Sequence, residues 1–202
     1  MFVSALLTVP EAFSPEQPAL ELLHRALSAE YDSRLSRLLR EERGWTYGVH
    51  GLLRLWPGHG VMEIRFAVDP AVLPEALAAV QGELRSVATA PLDGGELEQA
   101  RAALRREVVL RQLRLSRCAH QLAVMQAWGG APDEDRRLLS AAAALTPGDV
   151  QRVAADLQAA GVVWVLTGDR DAVEPRLDDS GWPLTAIRSA RAIVDGDPPL
   201  PL

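Results

Sequence analysis

The spacing of apolar positions divides the chain into a strand, two helices, a hairpin, a long run of helices and a last strand. Phe2 to Val9 is apolar and β-branched and ends at Pro10, which reads as a strand. Ser14-Pro15-Glu16-Gln17 then offers an N-cap, a proline at the first helical position and a capping-box glutamine, ahead of Leu20, Leu23, His24 and Leu27 on one helical face. A second helix is predicted from about Ser33 to Glu42, with Leu35, Leu38 and Leu39 buried and Gly44 as its stop. The period then changes to that of extended chain. Trp45 to Trp56 and Val61 to Val68, joined through Pro57-Gly58-His59-Gly60, form a hairpin signature.

Helical spacing returns from Asp69-Pro70 to about Ala88, through Leu73, Leu77, Val80 and Leu84. Asp93-Gly94-Gly95-Glu96 caps a longer helix with Leu97, Ala100, Leu104, Val108 and Leu115 as its apolar stripe, and Glu107 can pair with Arg111 one turn on. Ser116 to Trp128 continues helically until Gly129-Gly130-Ala131-Pro132. Helices follow at Asp133 to Ala144 and, behind the cap Thr146-Pro147-Gly148-Asp149, to about Ala159. Gly161 stops the last of these. Val162 to Thr167 is an apolar strand, and a short helix is expected near Ala172 to Asp178. Helices in runs, not alternating with strands, indicate an α+β fold: an antiparallel sheet of about four strands with helices packed on one face, a two-layer sandwich. One domain over residues 1–190 and a frayed tail over 191–202 complete the expected organisation.

Composition narrows the function classes. In 202 residues, 48% are hydrophobic and 24% charged, which is ordinary globular composition. The net charge is −6, and the 21 basic residues are all arginine, scattered among acids. That distribution argues against nucleic-acid binding. No apolar run reaches the roughly 20 residues of a membrane span, and the first ten residues lack a basic n-region, so a cytoplasmic protein without membrane contact is expected. Cys118 stands alone and reads as a small apolar filler. The histidines, His24, His50, His59 and His120, form no H-E-x-x-H or H-x-x-E-H pattern, so no metal is expected to be bound by this chain. Neither a nucleophile elbow nor a phosphate-binding glycine loop is present. From the residues alone, the reading stops at an α+β domain.

The segment from Asp32 to Val49, DSRLSRLLREERGWTYGV, carries more. It resembles the S-R-L-x-x-x-L-R-E-x-x-G-x-x-Y signature in the second half-domain of the pitrilysin or insulinase (M16) metallopeptidases. Helix starts at Leu92 to Ala100 and Thr146 to Val150, and a final strand ending at Gly168-Asp169, are similar to that family as well. The resemblance implies the zinc-less, C-terminal type of half-domain, one half of a clam-shell that encloses a peptide. The other half of such a pair carries zinc, the inverted zinc motif and a glutamate base. This half supplies an arginine and a tyrosine seven residues apart, a spacing that Arg40 and Tyr47 match. A guanidinium can hold a peptide carbonyl with two donors, and a phenol can donate to the developing oxyanion.

The chain is therefore expected to be inactive alone and to serve as the substrate-holding half of a two-component zinc peptidase. Its implied partners are a zinc-bearing M16 half-domain or subunit and a peptide substrate, in a homo- or hetero-oligomer. The alternative is a non-enzymatic scaffold or peptide-binding subunit of the same fold. On the bland reading, Arg40 complements a helix C-terminus and Tyr47 packs half buried on a strand. Arg37, Arg43, Glu41 and Glu42 read as solvated helix-face charges and Ser33 as a helix cap. Trp45, Trp56 and Trp128 are candidates for an exposed partner surface. Where the family often has a glycine pair before S-R-L, this chain has Glu30-Tyr31-Asp32, and Trp45 is bulkier than usual.

Overall fold

The structure is a computed structural model that describes residues 1–178 and 180–189. The expected tail, residues 191–202, lies outside the described residues. Four antiparallel strands, β1 (Phe2–Val9), β2 (Val49–Trp56), β3 (His59–Ala67) and β4 (Val163–Thr167), are ordered β2-β3-β1-β4. Alternation along β1 and β3 puts Val3, Ala5, Leu7 and Val9 beside Phe66, Ile64 and Met62 on one buried face. The opposite face carries Ser4, whose hydroxyl donates to Glu63 across the β1–β3 pair at 3.1 Å.

The helices are α1 (Gln17–His24), α2 (Arg34–Ser36), α3 (Leu73–Thr89), α4 (Gly94–Gln112), α5 (Leu115–Ala127), α6 (Glu134–Ala144), α7 (Pro147–Ala160) and α8 (Arg170–Asp178). α1 and α7 lie against the sheet, and α3 packs alongside α7. Leu20, Leu23, Leu77, Val80, Val153 and Leu157 join the sheet residues in one buried cluster. Each such leucine contributes about 1.5–3 kcal/mol through burial.

Several local expectations change in three dimensions. α1 begins at Gln17 behind Glu16, not at Pro15, and the Gln17 amide oxygen accepts from Phe13 N–H at 2.7 Å. Both α1 and α2 continue as π-helical turns, over Arg25–Ala29 and Arg37–Glu42. α3 is preceded by a 3-10 turn, Pro70–Val72. Leu115 does not extend the buried stripe of α4: the helix stops at Gln112, and Leu115 opens α5 with 86% of its surface exposed. Nor does Glu107 pair with Arg111. Glu107 reaches Arg25 and Arg111 reaches Asp135, because buried or neighbouring helices offer each a closer partner than its own helix does. The capping boxes at Asp93/Glu96 and Thr146/Asp149 form as the sequence predicts. No helix among the described residues is long and apolar enough to cross a membrane.

Candidate functional site

The segment that carries the motif is a short helix, its wide last turn and a loop. Arg34 fixes its start. The guanidinium donates to both oxygens of Glu96, at 2.7 and 2.6 Å, and to Glu83 at 3.0 Å, tying α2 to α3 and α4. The Arg34 contact holds the Glu96 carboxyl below the usual carboxylate range, and the pair keeps Arg34 charged. Leu35 and Leu39 are fully buried beneath. Ser33 occupies the N-cap position, but its hydroxyl donates to Ser36 Oγ at 3.1 Å and caps no backbone N–H, which corrects the expected role.

At the far end the π turn closes with Arg43 N–H on Leu38 O at 3.1 Å and Trp45 N–H on Leu39 O at 2.9 Å. Gly44 sits between them at φ 63°, a left-handed conformation that glycine adopts without strain. The chain then turns through Thr46, whose hydroxyl donates to Gly48 O at 3.0 Å and accepts from Gly48 N–H at 3.3 Å. That double contact braces the residue between them, Tyr47. The strand begins only at Val49, so Tyr47 lies in the loop ahead of β2.

The two motif residues are placed very differently. Tyr47 is fully exposed, at 103% of its reference surface, which excludes the half-buried packing of the bland reading. Arg40 is drawn in: its side chain is 16% exposed, its guanidinium lies 3.5 Å from the centre of the Tyr31 ring, and Nη2 donates to Glu41 at 2.6 Å and to Tyr31 O at 3.5 Å. No hydrogen bond joins Arg40 to Tyr47 among the described residues. Glu41 is exposed, as expected of a solvated charge, and is also the carboxylate partner of Arg40. Arg43 lies 5.3 Å over the Trp45 ring, and Arg37 stays half exposed with Glu96 at 3.5 Å. In the sequence Tyr31 stands only where the family often has a glycine pair. No periodicity links positions nine apart across a loop, so its stack on Arg40 had no sequence signal.

The histidines lie apart. His24 is buried in α1, His50 is exposed on β2, His59 stacks on Trp56 at 5.0 Å in the hairpin, and His120 is exposed on α5. Among the described residues no group of three or more His, Cys, Asp or Glu is placed to hold a metal ion. Arg25, 3% exposed, pairs with Glu21 and with Glu107, and only the first pair had a signal, the i,i+4 spacing. Arg25 also lines a cleft of about 190 Å³ with Arg37, Arg106, Glu30 and Glu96, where Arg106 and Glu30 pair with each other. Of the tryptophans read as surface candidates, Trp128 is exposed, while Trp45 and Trp56 are partly buried.

The chain is thus an antiparallel sheet with helices packed on one face, with the motif arginine in the π turn that follows α2 and the motif tyrosine in the loop before β2. The family model for the peptidase M16 inactive domain matches residues 3–104, and the chain belongs to that family. An uncharacterised zinc protease of Mycobacterium leprae is 30% identical over 92 residues, which is 46% of this chain and 21% of that protein. One from Mycobacterium tuberculosis strain H37Rv is 33% identical over the same share of each. The chain thus aligns with about a fifth of these curated relatives' length. Among solved structures, the peptidase M16 inactive domain from Pseudomonas fluorescens superposes with a TM-score of 0.69 at 20% identity, covering 81% of this chain and 40% of that one. An inactive peptidase domain from Bordetella parapertussis gives 0.70 at 20% identity, covering 83% and 91%. These two likenesses speak for the fold.

Proposed function

We propose that this chain is the substrate-holding, zinc-less half of a two-component M16 metallopeptidase, with Arg40 and Tyr47 as the groups that hold the peptide. Zinc and the general base belong to a partner half-domain or subunit. The observation that carries the reading is the full exposure of Tyr47 on a loop braced by Thr46 and Gly48, one helix end away from Arg40. An aromatic ring left wholly in water forgoes the burial energy that tyrosine ordinarily gains, and its phenol is free to donate to a reacting carbonyl. In that role Arg40 would orient the peptide through its carbonyl, and the Tyr47 hydroxyl would stabilise the oxyanion as charge develops there.

The test is peptide hydrolysis by this chain mixed with a zinc-bearing M16 subunit that carries H-x-x-E-H. Tyr47→Phe is expected to lower kcat about 10²-fold or more, the usual loss for one oxyanion donor. Arg40→Ala is expected to raise KM as well. Unchanged kinetics in both variants would overturn the assignment. A second reading, a non-enzymatic peptide-binding scaffold, draws on the fact that Arg40 is already engaged by Tyr31 and Glu41. It expects no hydrolysis with any zinc-bearing partner.

A further inference from the structure

Arg40 is the less exposed member of the pair, and the residue that covers it lies outside the motif. Tyr31 sits in the connection between the π turn that ends at Ala29 and the start of α2, and is itself 78% exposed. It therefore contributes little to the core. The Arg40 guanidinium carbon lies over the Tyr31 ring, 3.5 Å from the centroid, close contact for a stacked cation, while the Tyr31 carbonyl accepts from Nη2. The same nitrogen donates to Glu41 at 2.6 Å. Among the described residues the hydrogen bonds that Arg40 makes run from Nη2, so one face and that nitrogen of the guanidinium are occupied and the Nη1 amino group is not.

Edge and face have different uses. A peptide carbonyl is held in the plane of the guanidinium by N–H donors, whereas the face offers it no hydrogen bond. A free arginine also loses rotamer entropy when it is fixed on a ligand, and a side chain already stacked has met that cost in advance.

We infer that Tyr31 is a positioning residue for Arg40: its ring fixes the guanidinium plane so that the in-plane Nη1 N–H donors are presented to a backbone carbonyl of the peptide. The inference rests on the reading of Arg40 as a substrate-holding group. Only the ring is needed, not the phenol, so Tyr31→Phe keeps the function and Tyr31→Leu removes it.

Two measurements on the intact chain test it. In NMR spectra of the labelled protein, the Arg40 δ-methylene and Nε–H resonances, assigned by their loss in Arg40→Lys, should be displaced upfield by the ring in the wild type and in Tyr31→Phe. They should return to ordinary positions in Tyr31→Leu. Absence of any displacement in the wild type overturns the inference. In parallel, a fluorescein-labelled, unstructured peptide with acetylated and amidated ends is titrated with each variant and followed by polarisation. Tyr31→Leu should weaken binding about five-fold, the scale of one exposed cation–π contact, with Tyr31→Phe within two-fold of wild type. Equal or tighter binding by Tyr31→Leu overturns the positioning role while leaving that of Arg40 intact. Wild-type binding by Arg40→Ala, or no binding by the wild type at millimolar peptide, overturns the reading of Arg40 itself and this inference with it.

Discussion

His24 keeps its imidazole inside the protein at 8% exposure, and neither ring nitrogen has a hydrogen-bond partner. Burial, with the neighbouring Arg25 charge adding to it, pushes its pKa down from 6.5 to about 4, and a weak approach to the Gly51 backbone opposes the shift. The folded protein thus holds a neutral imidazole over a range where the unfolded chain binds a proton. Stability is complete above pH 6.5, falls as the pH drops towards 4, and levels off below that, for a total loss of about 3 kcal/mol. Urea unfolding between pH 7 and 4 should show this slope, and His24→Leu should flatten it; an unchanged slope in the variant would assign the acid sensitivity elsewhere. In the sequence His24 reads correctly as a core-facing position of α1, but its lack of partners does not, because that depends on what the neighbouring strand places over the ring.

Between elements, β2 comes close to the π turn after α1 at Gly51. A Cβ built on Gly51 would stand 2.3 Å from Ser28 Oγ, 2.9 Å from His24 Nε2 and 2.9 Å from the Ser28 carbonyl carbon. Gly51→Ala should therefore destabilise the protein by about 1–3 kcal/mol, the range for overpacking a well-filled contact. Ser28→Ala in the same chain should restore part of the loss in a thermal melt, and only part, since the ring and the backbone carbon remain. Helix starts marked by Asp93 and Thr146 were legible in the sequence because a capping box is local chemistry, closed within four residues. The wide turns at Arg25–Ala29 and Arg37–Glu42 were not, since nothing in the apolar spacing distinguishes them from α-helix. The same limit hid the pairing of Arg25 with Glu107, 82 positions away.

At the scale of the whole molecule, Phe2, Val163 and Val165 are exposed, as are Leu110, Leu113 and Leu115 around the end of α4 and the start of α5. Exposed apolar groups of this extent suit a chain that works against a partner. The substrate-holding reading therefore expects a 1:1 complex with a zinc-bearing M16 subunit in sedimentation velocity, and two independently sedimenting species would contradict it. The sequence by itself determined the α+β class, the strand and helix order, most of the buried face and the motif around Arg40 and Tyr47. Each of these rests on periodicity, turn chemistry or spacing within a few residues. Only the tertiary structure decided that Tyr47 stands free, that Arg40 is stacked on Tyr31 and paired to Glu41, and that His24 is buried without a partner. Those outcomes depend on which loop folds back over which helix end, and on the wide turn that aims Arg40, and such long-range geometry leaves no local pattern in the chain.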